Sequence, residues 1–127
     1  MPKVEQIIPI LNVRDVGASL RFYVDVLGFD RPWHWGDPPS FGGVHADDSE
    51  IQFCLNGQGG AGTWFAIWVD DVDAWYERLR SRAVDIRQAP VTFPWGVREL
   101  NIADPDGHRI RFSTATDAPP DATEFPS

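Results

Sequence analysis

Thr63-Trp64-Phe65-Ala66-Ile67-Trp68-Val69-Asp70-Asp71 is the stretch whose reading decides the fold of this chain. Side chains alternate faces along a strand, so Trp64, Ala66, Trp68 and Asp70 share one side and Phe65, Ile67 and Val69 the other. The second set is aliphatic and aromatic and suits packing on a helix. The first is a mixed face with two indoles, which either line a concave binding surface or fill a core. Asp71 then caps a helix whose Val72, Trp75, Tyr76 and Leu79 form one stripe, with Glu77, Arg78, Arg80 and Arg82 off it. Trp75 lies on that stripe and is assigned to the core.

The same joint occurs upstream. Val13, Asp15, Val16 and Ala18 recur as Val69, Asp71, Val72 and Ala74, each 56 residues later. Around the first copy, Gln6 to Val13 reads as a strand in which Pro9 marks an unpaired side or a kink. Val16, Leu20, Tyr23, Val24 and Leu27 follow at helical spacing, and Gly28 stops the helix. Phe29 to Trp35 is extended, broken by Pro32, and Gly36-Asp37-Pro38-Pro39 is a turn or loop. Phe41 to Ala46 and Glu50 to Leu55 form a hairpin, with Glu50, Gln52 and Cys54 alternating against Ile51, Phe53 and Leu55. After the second copy, Val84 to Arg87 is a short strand. Val97 to Ala103 and His108 to Thr114 then pair across Asp104-Pro105-Asp106-Gly107.

Strand, helix and several strands thus occur twice, and the expected class is α+β. Two βαβββ modules would join as a curved, cup-like mixed sheet with the helices outside. Residues 1–114 are expected to form one domain, with module one over about 4–56, a glycine-rich linker at 56–62 and module two over 63–114. Residues 115–127, dominated by Pro, Asp, Ala and Thr, are expected to be disordered.

Composition narrows the function classes. With 43% hydrophobic residues the chain can bury a core, and no apolar run approaches a membrane span. Eleven basic against nineteen acidic residues leave a net charge of −8. That charge repels nucleic-acid phosphates and anionic lipid, and it either favours a cationic ligand or serves solubility alone. Met1-Pro2-Lys3-Val4-Glu5 lacks the pattern of a signal peptide, so a cytoplasmic protein is expected. Cys54 stands alone, which leaves no disulfide or cysteine cluster, and is read as an inert thiol. His34, His45 and His108 sit on separate segments at no ligand spacing and are expected at the surface or in loops.

Val-Arg-Asp-Val at 13–16, Phe22-Tyr23, Leu27-Gly28-Phe29 and Asp104-Pro105-Asp106-Gly107-His108, set in paired modules, resemble the glyoxalase, bleomycin-resistance and extradiol-dioxygenase superfamily. The resemblance covers residues 4 to about 114. Pro9-Ile10-Leu11, Arg14-Asp15-Val16, Leu27-Gly28-Phe29 and especially Pro94-Trp95-Gly96 with Arg98-Glu99 look most like its bleomycin-binding branch. That likeness implies a homodimer that sequesters a cationic aromatic antibiotic in aromatic-lined clefts, with no catalytic metal. It maps the drug-stacking tryptophan onto Trp95 and further aromatic contacts onto Trp33 and Phe41. The loops between Trp33 and Phe41 and between Pro94 and Arg98 differ from that branch, so the likeness implies a ligand class and not an identity. In metal-dependent members, the ligand positions align with Ile8, Gln52, Trp64 and Arg111. Isoleucine, tryptophan and arginine cannot coordinate a divalent cation, so no metal and no other cofactor is expected.

The candidate ligand-binding residues are therefore Trp33, Trp35, Phe41, Gln52, Trp64, Trp68, Trp95, Glu99 and Arg111, with no catalytic residue. Trp33, Trp35 and Trp95 lie beside proline and glycine, where burying an indole is hard to arrange. Glu99 and Arg111 either meet a ligand or pair with each other across strands. The leading function is sequestration of a small, aromatic, cationic molecule, with neither nucleic acid nor membrane as partner. The alternative is a metal-independent lyase or isomerase, with Glu99 as base and Arg111 holding a carboxylate-bearing substrate.

Overall fold

Asp15 and Asp71 each hold the first turn of a helix. The Ala18 N–H donates to Asp15 Oδ1 at 3.0 Å, and the Ala74 N–H donates to Asp71 Oδ1 at 3.1 Å. The 56-residue repeat is therefore a repeat of structure, with the same cap at the same joint. The computed structural model describes residues 2–121, and the chain divides between Ala61 and Gly62 into two compact units.

The first unit runs β1 (Ile10–Val13), α1 (Val16–Arg21), a π-helical turn (Phe22–Val26), β2 (Asp30–Trp35), β3 (Phe41–Ala46) and β4 (Ser49–Leu55). Its sheet has the order β1-β4-β3-β2, parallel between β1 and β4 and antiparallel elsewhere. The second runs β5 (Trp64–Trp68), α2 (Val72–Arg80), β6 (Asp85–Phe93), β7 (Val97–Ala103) and β8 (Arg109–Ala115). Its order is β5-β8-β7-β6, parallel only between β5 and β8. Two four-stranded mixed sheets with one short helix each make the α+β class expected of paired βαβββ modules.

Each sheet buries the face its helix covers. In the first unit Val16, Tyr23 and Leu27 pack with Leu11, Val13, Val44, Ile51 and Phe53, all buried. Tyr23 meets Phe29 and Phe53 edge-on at 5.9 and 4.9 Å. Gly28, at φ +84°, lets the chain leave the helix in a conformation that costs other residues. In the second unit Val72 and Leu79 are buried with Leu100, Ile102, Ile110 and Phe112, and half-buried Trp75 stacks on Phe112 at 4.9 Å. Burying one such side chain contributes about 1.5–3 kcal/mol. The opposite faces carry the polar alternates, and they hold the residues of functional interest.

Four expectations are revised. The strand read over Gln6 to Val13 begins only at Ile10, because Pro9 has no N–H to give a ladder; its carbonyl accepts from the Gln52 N–H at 3.0 Å. The strand read as Val84 to Arg87 extends to Phe93, past Pro90. Pro32 in β2 and Pro90 in β6 both sit in outermost strands, where the register slips between Asp30 and Trp33 and between Gln88 and Val91. An edge bulge has no use for the missing N–H, so neither proline breaks its strand.

His108 lies in the β7–β8 loop, one of the two settings expected for it, but is completely buried there. Its Nδ1 accepts from the Thr63 N–H at 3.0 Å and its own backbone N–H donates to the buried Asp104 carboxylate at 2.9 Å, tying the start of the second unit to the β7–β8 turn. Beyond β8, residues 116–121 hold no helix or strand, yet they are bonded. The Thr116 N–H donates to the Gly96 carbonyl at 2.9 Å, and Asp121 Oδ2 accepts from the Thr92 N–H at 3.0 Å and Arg98 at 3.1 Å. The rest of the expected disordered tail, 122–127, lies outside the described residues. No helix among the described residues is long and apolar enough to cross a membrane.

Candidate functional site

In the first unit the polar face is built around Gly43. The slip in β2, where Arg31 takes φ +47°, turns Trp33 flat across the β3 backbone. A Cβ at Gly43 would meet the indole at 2.7 Å, so only glycine admits this approach. Trp33 Nε1–H donates to Glu50 Oε2 at 3.0 Å, and Gln52 Nε2 donates to the same oxygen at 3.3 Å. Trp33 also meets Phe41 edge-on at 5.4 Å. His45 Nδ1–H donates to the Arg31 carbonyl at 2.9 Å, which leaves Nε2 facing Glu50 Oε1 at 3.6 Å.

Trp33, Phe41 and Gln52 are thus brought together, with Glu50 at their centre. Sequence reasoning placed Glu50 on the same strand face as Gln52 and gave it no role; the alternation of β4 was the available signal. Its side chain is 12% exposed, a carboxylate with little water and two neutral donors. Trp35, opposite Phe41 in the register, remains 73% exposed.

In the second unit the polar face lies on β5, β7 and β8. Trp64 is opposite Arg109 in the register, and the guanidinium sits 4.4 Å above the indole. Arg109 Nε also donates to Asn101 Oδ1 at 3.0 Å. One face of Trp64 is therefore taken by a cation from its own chain, a pairing the sequence reading did not foresee. Arg111, opposite Ala66, places Nε 3.7 Å from Glu99 Oε1. The cross-strand pair is present, but at a length beyond a hydrogen bond. A pocket of about 210 Å³ is lined by Trp64, Phe65, Ala66 and Arg111. Trp64 and Arg111 thus line one pocket, with Glu99 beside Arg111. Trp68 stands at the other end of β5 and is 65% exposed. Trp95 occupies the tip of the β6–β7 hairpin, 41% exposed, stacked on Phe93 at 4.7 Å and 6°. A larger concavity of about 380 Å³ lies beside α1 and β2, against Leu20, Val24, Pro32 and Pro39, and none of the expected site residues lines it.

The positions that hold a metal in enzymes of the resembling superfamily do not suit one. Ile8 offers no donor atom, the Trp64 ring lies under a guanidinium, Arg111 is a cation, and Gln52 alone is not a site. Among the described residues no group of three or more His, Cys, Asp or Glu could hold a metal ion.

Comparison with known proteins agrees with this architecture. Among solved structures, the chain is similar to a bleomycin-binding protein from bleomycin-producing Streptomyces verticillus, solved with copper(II)-bleomycin. Identity is 29% over 92% of this chain and 100% of that one, with a TM-score of 0.72. It is also similar to a superfamily member from Sphaerobacter thermophilus, at 25% identity, 88% and 98% coverage and a TM-score of 0.72. A lactoylglutathione lyase from Agrobacterium tumefaciens shares the fold at 18% identity, 89% and 95% coverage and a TM-score of 0.75. A comparison with curated proteins found no match. The sequence model of one family matches residues 4–112, and the chain belongs to that family, the Glyoxalase/Bleomycin resistance protein/Dioxygenase superfamily.

Proposed function

We propose that the protein is a non-catalytic, metal-free binder that sequesters a flat aromatic molecule of cationic character, and that it works as a homodimer. The observation that carries this is the exposure of four indoles. Trp35, Trp64, Trp68 and Trp95 are 73%, 51%, 65% and 41% exposed, far more than core packing would leave. Trp33 and Phe41 add ring surface beside the Glu50 carboxylate, a suitable seat for a cation next to an aromatic body. The acidic surface adds long-range attraction for the same charge. The likeness to a bleomycin-binding protein supports the reading.

The lyase or isomerase reading requires Glu99 to reach a substrate as base. Its side chain is 5% exposed and Arg111 beside it 42%, so an incoming molecule meets the guanidinium instead. The test is calorimetric titration with bleomycin and a panel of quinoline and anthracycline drugs, with tryptophan emission followed in parallel. Saturable heat and quenching without chemical change of the ligand is the expected outcome. Absence of binding across the whole panel, or turnover of a bound compound, overturns the reading.

A further inference from the structure

The chain is acidic overall, at a net charge of −8, but one face of its second sheet is not. Arg109 and Arg111 alternate along β8 with buried Ile110 and Phe112, so both guanidiniums lie on the polar side of that sheet. Glu99 stands beside Arg111 on that face, while Asp85, on the outer strand β6, is paired with Arg87. Arg109 is engaged by the Trp64 ring and by Asn101. The Arg111 side chain makes no hydrogen bond to a described residue. Its Nε is buried without an acceptor, and Glu99 Oε1 stands 3.7 Å away. The buried end of the guanidinium is thus held near a charge that does not satisfy it, while the side chain remains 42% exposed and lines the 210 Å³ pocket. Unmade hydrogen bonds at a guanidinium are costly, and water or a ligand must complete its outer nitrogens. A cavity of roughly 150 Å³ already admits a benzene ring.

We propose that this pocket is an oxyanion subsite: the outer nitrogens of Arg111 take a planar carboxylate end-on, and the ring that bears it packs on the exposed part of Trp64. The planar fork of arginine matches a carboxylate with two parallel hydrogen bonds, as a lysine would not. Arg109, stacked on the same indole, adds a second positive charge and fixes the ring against which the ligand lies. Glu99 is a positioning residue that orients Arg111 through its buried side and offsets part of its charge. The inference rests on the binding function proposed above and narrows it: the ligand is a zwitterion that carries an aromatic carboxylate beside its cationic group, not a simple cation.

The probes are 2-naphthoate and its neutral isostere 2-naphthamide, titrated calorimetrically into the full chain. Wild-type protein is expected to bind naphthoate about tenfold or more tightly than naphthamide, as hydrogen bonds to a charged group imply. Arg111→Gln should erase that preference, whereas Glu99→Gln should tighten naphthoate by removing a competing charge. Equal wild-type affinities for the two probes overturn the proposal, and that comparison needs no variant to fold. An unchanged preference in Arg111→Gln also overturns it. Bleomycin binding with no preference for naphthoate removes the subsite and leaves the broader function standing. A naphthoate preference with no binding of any cationic drug removes the cationic reading and leaves the subsite.

Discussion

At the scale of single residues, Trp95 separates packing from recognition most cleanly. Its indole is 41% exposed, with one face stacked on Phe93 at 4.7 Å. Trp95→Ala should therefore cost about 0.5–1.5 kcal/mol for the aromatic pair plus the burial of the covered part of the ring, and less than a fully buried indole would. A buried tryptophan would cost about 3–5 kcal/mol. If Trp95 contacts ligand, the same change should weaken binding by about 1–3 kcal/mol. Urea denaturation beside titration of a bound drug reads both quantities. A large fall in the denaturation midpoint would make Trp95 a core residue. Gly43→Ala makes the opposite kind of test. The new Cβ would meet Trp33 at 2.7 and 2.9 Å and the Ile51 carbonyl at 3.0 Å, so the indole must lift away from β3. A loss of about 1–3 kcal/mol is expected, as for overpacking elsewhere, with altered Trp33 emission. Unchanged stability would mean the approach is looser than described. Trp95 was legible in the sequence because Pro94 and Gly96 leave nothing bulky beside it. The Trp64–Arg109 stack and the Glu50 cluster were not legible, because the first depends on the β5–β8 register and the second on the bulge at Arg31.

At the scale of elements, the aspartate caps were readable from local chemistry alone, and Ala18 and Ala74 donate to them as the repeat implied. Strand ends beside prolines were not, because Pro32 and Pro90 are tolerated only through an edge position that belongs to the sheet. A side-chain link joins elements of the second unit: the bidentate pair from Arg98 on β7 to Asp73 on α2, at 2.8 and 3.0 Å. The hydrogen bond from Arg98 holds the Asp73 carboxyl below its ordinary value of 3.8; burial opposes this and the charge of Arg98 adds to it. A carboxylate whose pKa is depressed on folding gives stability that is present above its unfolded value and lost as pH falls through the folded one. Arg98→Met should therefore lower stability at neutral pH and flatten its decline below pH 3.8. Melting temperatures of both proteins through the acid range provide the check. Parallel curves would show that Asp73 is not held by Arg98 in solution. Solvent screening keeps the effect modest, since the Asp73 side chain is 56% exposed.

At the scale of the molecule, net charge proved a poor guide to local chemistry: a chain at −8 gathers Arg109 and Arg111 on one sheet face. Sequence sums over faces that only pairing defines. Assembly is a whole-molecule question too, and there the exposed apolar residues matter. Val4 and Ile7, just before β1, are 80% and 85% exposed, and Ile10 at its start is 37% exposed. β1 and β5 are each bonded to a single neighbour in their sheets. Open edges and apolar side chains invite pairing with another chain, and twofold symmetry satisfies both copies with one surface. Pro9, which interrupts the segment just before β1 pairs, is placed to redirect residues 2–8 toward a second copy. Light scattering at micromolar concentration should then give about twice the 14.3 kDa chain mass. Ile7→Asp puts a charge in the middle of that segment. It should return the mass to that of one chain and leave the melting of each unit's core nearly unchanged, because Ile7, 85% exposed, contributes little burial within its own chain. A wild-type monomer under these conditions would rule out the dimer. A dimer indifferent to Ile7→Asp would move the interface away from the N-terminal segment, toward the exposed Trp35 and Trp68, and ligand titrations would then have to be read against subunit contact at those indoles.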